Sequence, residues 1–190
     1  MKKPQFGVLF EEALEFALQK HKGQKRKGNN MPYFWHAMSV ARNVQEVKES
    51  TNLELLMTAA ILHDTVEDCK HLNVTIQEIA EVFSYKVASL VEELTNDDKK
   101  IAEMGKTEYL KEKMANMSSY ALVIKLSDRR DNVRDLNDLK KEFKEKYTKE
   151  TIEILDHLES WVRKLTGTHI KLIAKIREVL KKQSETQENA

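Results

Sequence analysis

Cysteine, proline and glycine are all scarce in this chain: one, two and five among 190 residues. The single cysteine, Cys69, excludes an internal disulfide and a cysteine-built zinc cluster, and it fits a reducing compartment. So little glycine and proline leaves too few turn signals for an all-β chain, while charged residues recur at helical intervals. The expected architecture is therefore all-α. Net charge is nearly absent as well: 32 basic against 31 acidic residues give +1. No global field draws nucleic acid or an anionic membrane, so any anion site must be local. Long apolar runs are also missing. Nothing reaches the length of a membrane span, and Glu11, Glu12 and Glu15 interrupt the first apolar stretch before signal-segment length. The expected location is the cytoplasm, without a nucleic-acid or membrane partner. The length suits one domain, read as residues 1–183, with a flexible tail at 184–190.

What is present is helical periodicity. Phe6, Phe10, Ala13 and Ala17 share one face of a first helix, and the charged run "HKGQKRKGNN" breaks the pattern as a loop. After Pro32, His36, Val40 and Val44 recur every fourth position, which turns His36 inward. A third helix runs from Leu53 to His63. Thr75 with Glu78 fits a capping box for the next, and Val87, Leu90, Val91 and Leu94 mark another. "TNDDKKIAEMGK" reads as a loop. "SSYALVIKLSDRRDNVRDL" reads as a helix with serine caps and Ala121, Ile124, Asp128 and Asn132 along one stripe. Two last helices flank Gly167.

In "AAILHDTVED" four groups that resist burial follow directly on apolar residues. His63 lies one turn before Glu67, and Asp64 one turn before Asp68. One such group alone would be read as a hydrogen-bonded core histidine or a helix-end acid. Four together repel and lose hydration, which calls for a cation. His36 and Asp128 stand on inward stripes of other helices. Two imidazoles and two carboxylates suit a divalent manganese, iron or zinc ion better than calcium, with positions left open for water and substrate. The spacing alone leaves metal binding and satisfied burial both open.

The histidine of "PYFWH", the pair in "ILHDTVED" and the aspartate of "IKLSDRRDN" resemble the H…HD…D pattern of the HD-domain metal-dependent phosphohydrolases. The ordered blocks "HKGQKRKG", "PYFWHAMSVA", "AAILHDTVED", "LVEELT" and "VIKLSDRRDNVRDL" are similar to the hydrolase domain of the RelA/SpoT alarmone enzymes. Among these they look most like the stand-alone small alarmone hydrolases of the metazoan SpoT type. The resemblance implies a single HD-domain helical bundle in which His36, His63, Asp64 and Asp128 hold one divalent ion, usually Mn2+. Glu67 and Asp68 would serve the attacking water. The implied reaction removes the 3′-diphosphate of guanosine tetra- or pentaphosphate, releasing pyrophosphate and leaving GDP or GTP. Arg26 and Lys27 match motif positions that contact the nucleotide, and Asn132 matches the family asparagine that faces it. Lys99 or Lys100 would add a phosphate contact.

Plainer readings apply elsewhere. A basic run such as "HKGQKRKG" is by itself a solvated loop, and Lys125, Arg129 and Arg134 read as surface ion-pair formers. Phe34 and Trp35 read as packing around His36, and His157 and His169 as structural or exposed. Two departures from the family pattern, Ser127 before Asp128 and Ser84 after Phe83, imply altered packing. A third, the absence of an aromatic residue in "TIEILDH", leaves substrate preference open. The alternatives are an NADPH 2′-phosphatase, another nucleotide phosphohydrolase, or a nucleotide-binding module without turnover. No synthetase, TGS or ACT region follows, so degradation without synthesis is expected.

Overall fold

The computed structural model describes residues 7–49, 52–160 and 165–188. Among these the secondary structure is helical apart from one isolated bridge between Lys25 and Pro32. The chain packs as two compact units, one made of residues up to Arg26 with Asn30–Asn96, the other of Lys27–Asn29 with the residues from Asp97 onward.

The first unit contains α1 (Val8–Lys20), α2 (Phe34–Val47), α3 (Leu53–Leu62), α4 (Thr65–Asp68), α5 (Ile76–Val82) and α6 (Tyr85–Leu94). Its centre is α3, which packs against α1, α2 and α6, while α5 packs on α6. This follows from sequence: α3 is apolar nearly all round, and such a helix has no face to give to water. Leu56, Ala59, Ala60, Ile61 and Leu62 are fully buried, each large side chain contributing about 1.5–3 kcal/mol by its removal from water. Ala13 and Ala17 of α1 are buried as the periodicity predicts, and Phe10 is half-buried; Phe6 lies outside the described residues. Glu54 of α3 accepts from the backbone N–H groups of Gly7 and Leu9 at 2.8 and 3.2 Å, satisfying donors that the start of α1 leaves open. Thr75 caps α5 as expected, accepting from Glu78 N–H at 3.1 Å, while the Glu78 carboxylate pairs with Lys20 at 3.0 Å.

The second unit contains α7 (Asp98–Met104), α8 (Lys106–Asn116), α9 (Ser119–Arg134), α10 (Lys141–Ser160) and α11 (Gly167–Glu188). α9 packs on α11, α8 on α10, and α7 on α8. The segment expected as a loop, "TNDDKKIAEMGK", holds α7, because Asp97 caps it by accepting from the N–H groups of Lys99 and Lys100 at 3.0 and 3.2 Å. α8 is an element the periodicity reading does not include; its exposed face is almost wholly charged, which hides the apolar stripe of Tyr109, Leu110 and Met114. α11 continues to Glu188, into the segment read as a tail, with Glu178–Lys182 and Lys181–Glu185 pairs along it. His169, read as structural or exposed, is buried: its Nδ1 accepts from Thr166 N–H at 3.0 Å and its Nε2 donates to the Ser119 carbonyl at 2.9 Å.

α9 buries every residue from Ala121 to Asp131, charges included. Arg129 is therefore no surface ion-pair former. Its guanidinium reaches Glu150 at 3.1 Å and Thr151 at 2.9 Å and lies 4.9 Å from the Tyr147 ring centroid. Burial alone would lower its pKa, but Tyr147, Glu150 and Asp128 outweigh burial and raise it, so the group stays charged. Removing one partner strands the other. Arg129→Leu is expected to cost about 3–5 kcal/mol, as a buried Glu150 carboxylate is left uncompensated, and Arg129→Leu with Glu150→Leu to recover most of it, read by urea unfolding. Equal loss in both variants would refute this account.

Candidate metal and active site

α3 carries its apolar sequence to Leu62, and the chain then turns at His63 and Asp64. Thr65 Oγ1 donates to the Leu62 carbonyl at 2.7 Å, taking up an acceptor that the helix end leaves open. His63 is thereby held at the buried end of α3, 1% exposed. Its Nδ1 lies 2.8 Å from the Ala60 carbonyl oxygen. A carbonyl only accepts, so Nδ1 carries a proton, and in the neutral ring Nε2 presents a lone pair. That Nε2 lies 2.8 Å from Asp64 Oδ2.

His36 reaches the same oxygen from α2, its Nε2 at 3.8 Å, with the two imidazole centroids 5.2 Å apart. One donor atom each from His36, His63 and Asp64 lies within 4.8 Å of the others. An imidazole lone pair and a carboxylate oxygen repel at such range unless a cation or a shared proton lies with them. The donor set therefore fits a divalent ion.

Tyr33 donates its hydroxyl to Asp64 Oδ2, and its ring packs against His36 and His21 at centroid distances of 5.4 and 4.9 Å. His21 is buried. Burial lowers its pKa, with Gln24, Asp64 and Asp68 opposing in part, which keeps the imidazole neutral. Its Nδ1 donates to Gln24 Oε1 at 2.6 Å, and Gln24 Nε2 donates to Asp68 Oδ2 at 3.0 Å. Partial desolvation by the protein beside the Asp68 carboxyl, which still reaches solvent, and then the Asp64 charge, raise the Asp68 pKa from its ordinary value. Glu67, next to it on α4, accepts from Asn96 at both oxygens.

The sequence-predicted residues belong to both units. His36, His63 and Asp64 come together, with Glu67 and Asp68 on the turn that follows, and Arg26 stands half-buried in the loop before α2. Asp128 and Asn132 come together on α9 in the second unit. Asp128 is held by Asn132 Nδ2 at 2.5 Å and by Lys125 Nζ at 3.1 Å. Lys27 and Lys99 are exposed in that unit; beside Lys27, Gly28 has φ +101°, and a Cβ there would fall 2.8 Å from the Leu139 side chain. Trp35, read as packing for His36, is 54% exposed. Sequence reading gave no site role to Tyr33, His21, Gln24 or Asn96. The first three lie inside quoted motif blocks; Asn96 meets a partner 29 positions away, which no local pattern signals.

An HD-domain family model matches residues 13–160. The guanosine-3′,5′-bis(diphosphate) 3′-pyrophosphohydrolase MESH1 of Xenopus tropicalis is 40% identical over 130 residues, covering 68% of this chain and 70% of that protein. The chain belongs to the HD-domain family and is a MESH1 homologue. This HD domain also matches the guanosine-3′,5′-bis(diphosphate) 3′-pyrophosphohydrolase of Aquifex aeolicus, 38% identical over 160 residues; the match covers 80% of this chain but 21% of that protein's length. A solved structure, described as a metazoan ortholog of SpoT that hydrolyzes ppGpp and plays a role in starvation responses, superposes on the HD domain with a TM-score of 0.77. It is 29% identical, with 96% of this chain and 98% of that one covered. The helical bundle expected from sequence is thus the fold of this family.

Two outcomes follow from the geometry. Mn2+ added to chelator-treated protein is expected to raise the thermal midpoint, a ligand at a hundred times its Kd contributing about 2.7 kcal/mol, and His63→Ala to abolish that rise in calorimetry. An undiminished rise in the variant would exclude His63 as a ligand. Asp68, whose folded pKa is raised, is more easily ionised unfolded; stability therefore falls as pH climbs from the ordinary carboxylate range through the folded value. Asp68→Asn should raise the midpoint of metal-free protein at pH 7 by no more than about 2 °C, because the residue is solvent-exposed, and the gain should vanish in acid. A gain that persists in acid would remove this electrostatic cause.

Proposed function

We propose that this chain is a metal-dependent guanosine-3′,5′-bis(diphosphate) 3′-pyrophosphohydrolase, cleaving the 3′-diphosphate from (p)ppGpp and releasing pyrophosphate with GDP or GTP. The observation that carries the reading is the group His36, His63 and Asp64, with one donor atom each inside 4.8 Å, directly before Glu67 and Asp68. Relatives bearing that activity in their names, on both the MESH1 and the long bacterial side, support the substrate class.

Residues 1–183 are carried as one HD-type domain, which the span of the family match across both compact units supports. His36, His63, Asp64 and Asp128 form the proposed ligand set for one divalent ion, with Mn2+ as the proposed metal. When bound, such an ion neutralises phosphoryl charge and acidifies water. The chain's own residues do the rest. Glu67 and Asp68 orient the attacking water and accept its proton, Gln24 and Asn96 holding the two carboxylates. Arg26 offers a guanidinium plane to stack on guanine, Lys27 and Lys99 offer charge to phosphate, and Asn132 offers an amide to ribose or base. No helix among the described residues is long and apolar enough to cross a membrane, and a cytoplasmic place of action is part of the proposal.

The test is a Mn2+-supplemented assay of guanosine tetraphosphate beside NADPH, with the released species identified. Pyrophosphate from the alarmone is expected; orthophosphate from NADPH alone would replace this reading with a 2′-phosphatase. Glu67→Gln is expected to lower kcat about 10²–10⁴-fold while the Mn2+-induced rise in thermal midpoint is retained. Unchanged turnover would remove Glu67 from the chemistry.

A further inference from the structure

Glu67 and Asp68 lie on α4, a helix of four residues. Its closing backbone bonds are Asp68 N–H to the Asp64 carbonyl at 2.8 Å and Cys69 N–H to the Thr65 carbonyl at 3.2 Å. One turn of helix fixes more dihedral freedom than its few hydrogen bonds repay, so α4 does not stiffen itself. A glutamate side chain adds three rotatable bonds of its own. A carboxylate on such a platform needs an anchor from outside α4 if it is to keep one orientation.

Among the described residues that anchor is Asn96. Glu67 Oε2 accepts from the backbone N–H of Asn96 at 2.9 Å, and Glu67 Oε1 accepts from Asn96 Nδ2 at 3.1 Å. A main-chain donor and a side-chain donor of one residue thus grip both oxygens, which fixes the plane of the carboxylate as well as its position. The main-chain donor is itself held. Thr95, just before it, directs both its N–H and its hydroxyl to the Val91 carbonyl at 2.9 Å, so the chain leaves the end of α6 on a fixed path. A carboxylate has about four acceptor sites, so two donors leave lone pairs for a water.

We propose that Asn96 is a positioning residue of this site, holding Glu67 in the orientation from which it acts. The proposal rests on the alarmone hydrolase reading above. Asn96 exchanges no proton itself; its contribution is to remove the rotamers in which Glu67 faces elsewhere. Misplacing a reacting group by about 1 Å costs on the order of a hundredfold in rate, which sets the scale.

Asn96→Ala keeps the main-chain donor and loses the amide, and is expected to lower kcat about tenfold with KM within about twofold. Asn96→Asp has the shape of asparagine but faces Glu67 with a second carboxylate, and is expected to be slower than Asn96→Ala. In a Glu67→Ala background neither substitution should change the residual rate, because the group they act through is gone. Asn96→Ser replaces Asn96→Ala if the latter fails to fold by circular dichroism. Asn96→Asp turning over like wild type, or an equal loss with and without Glu67, would mean that the residue acts by shape alone and would overturn the proposal. Wild-type protein inactive on guanosine tetraphosphate would overturn the hydrolase reading and the role of Asn96 with it, whereas active wild type with fully active Asn96→Ala overturns the role alone.

Discussion

In the first unit two imidazoles and a phenol hydroxyl are arranged around one atom, Asp64 Oδ2. The His63 Nε2, the His36 Nε2 and the Tyr33 hydroxyl all face it, from two different stretches of chain. The hydroxyl is a natural partner for an anion; a neutral His63, its Nδ1 proton given to the Ala60 carbonyl, is not. The arrangement is therefore costly as a mere core and favourable as a cation cradle, since desolvated acceptors close together are tolerated only where positive charge is shared among them. The surrounding hydrogen bonds agree with that purpose. The Ala60 carbonyl sets the His63 tautomer, and the His21–Gln24–Asp68 chain and the Asn96 grip set the two acids that follow.

The same constraint explains why the rest of the first unit is so apolar. A site made of crowded donors gains nothing toward stability before its ion arrives, and the folding free energy must come from elsewhere. α3 supplies it, with fully buried leucine, isoleucine and alanine side chains up to the residue before His63. The second unit solves a comparable problem by pairing: its central helix buries Lys125 against Asp128 and Arg129 against Glu150, so that charge lies inside without standing alone.

Legibility from sequence followed the range of the interaction. Helices with a clear apolar stripe, such as α2 and α6, and caps formed within three residues, such as Thr75, could be read directly because both ends of each contact sit in one short window. The grouping of His36 with His63 and Asp64 followed from inward periodicity joined to the family resemblance. α7 is hidden because an aspartate cap overrides a stretch that looks like a polar loop, and α8 because lysines and glutamates mask its narrow apolar face. The burial of Arg129 leaves no local signal, since its partners, Glu150 and Thr151, lie 21 and 22 positions away. Tyr33 lies inside the "PYFWH" block, where no local pattern points to Asp64, although an aromatic hydroxyl ahead of an inward histidine is a group that seeks a partner once buried.

Cys69, directly after the two acids, is buried, and its Sγ lies 3.4 Å from the Lys20 carbonyl oxygen, to which it donates. Burial first, and the Asp68 charge second, push the thiol up to about 11. Oxidants and electrophiles attack the thiolate, and at cellular pH this sulfur offers almost none. The only thiol in the chain therefore stands next to Glu67 and Asp68 without drawing peroxide or alkylating agents to them.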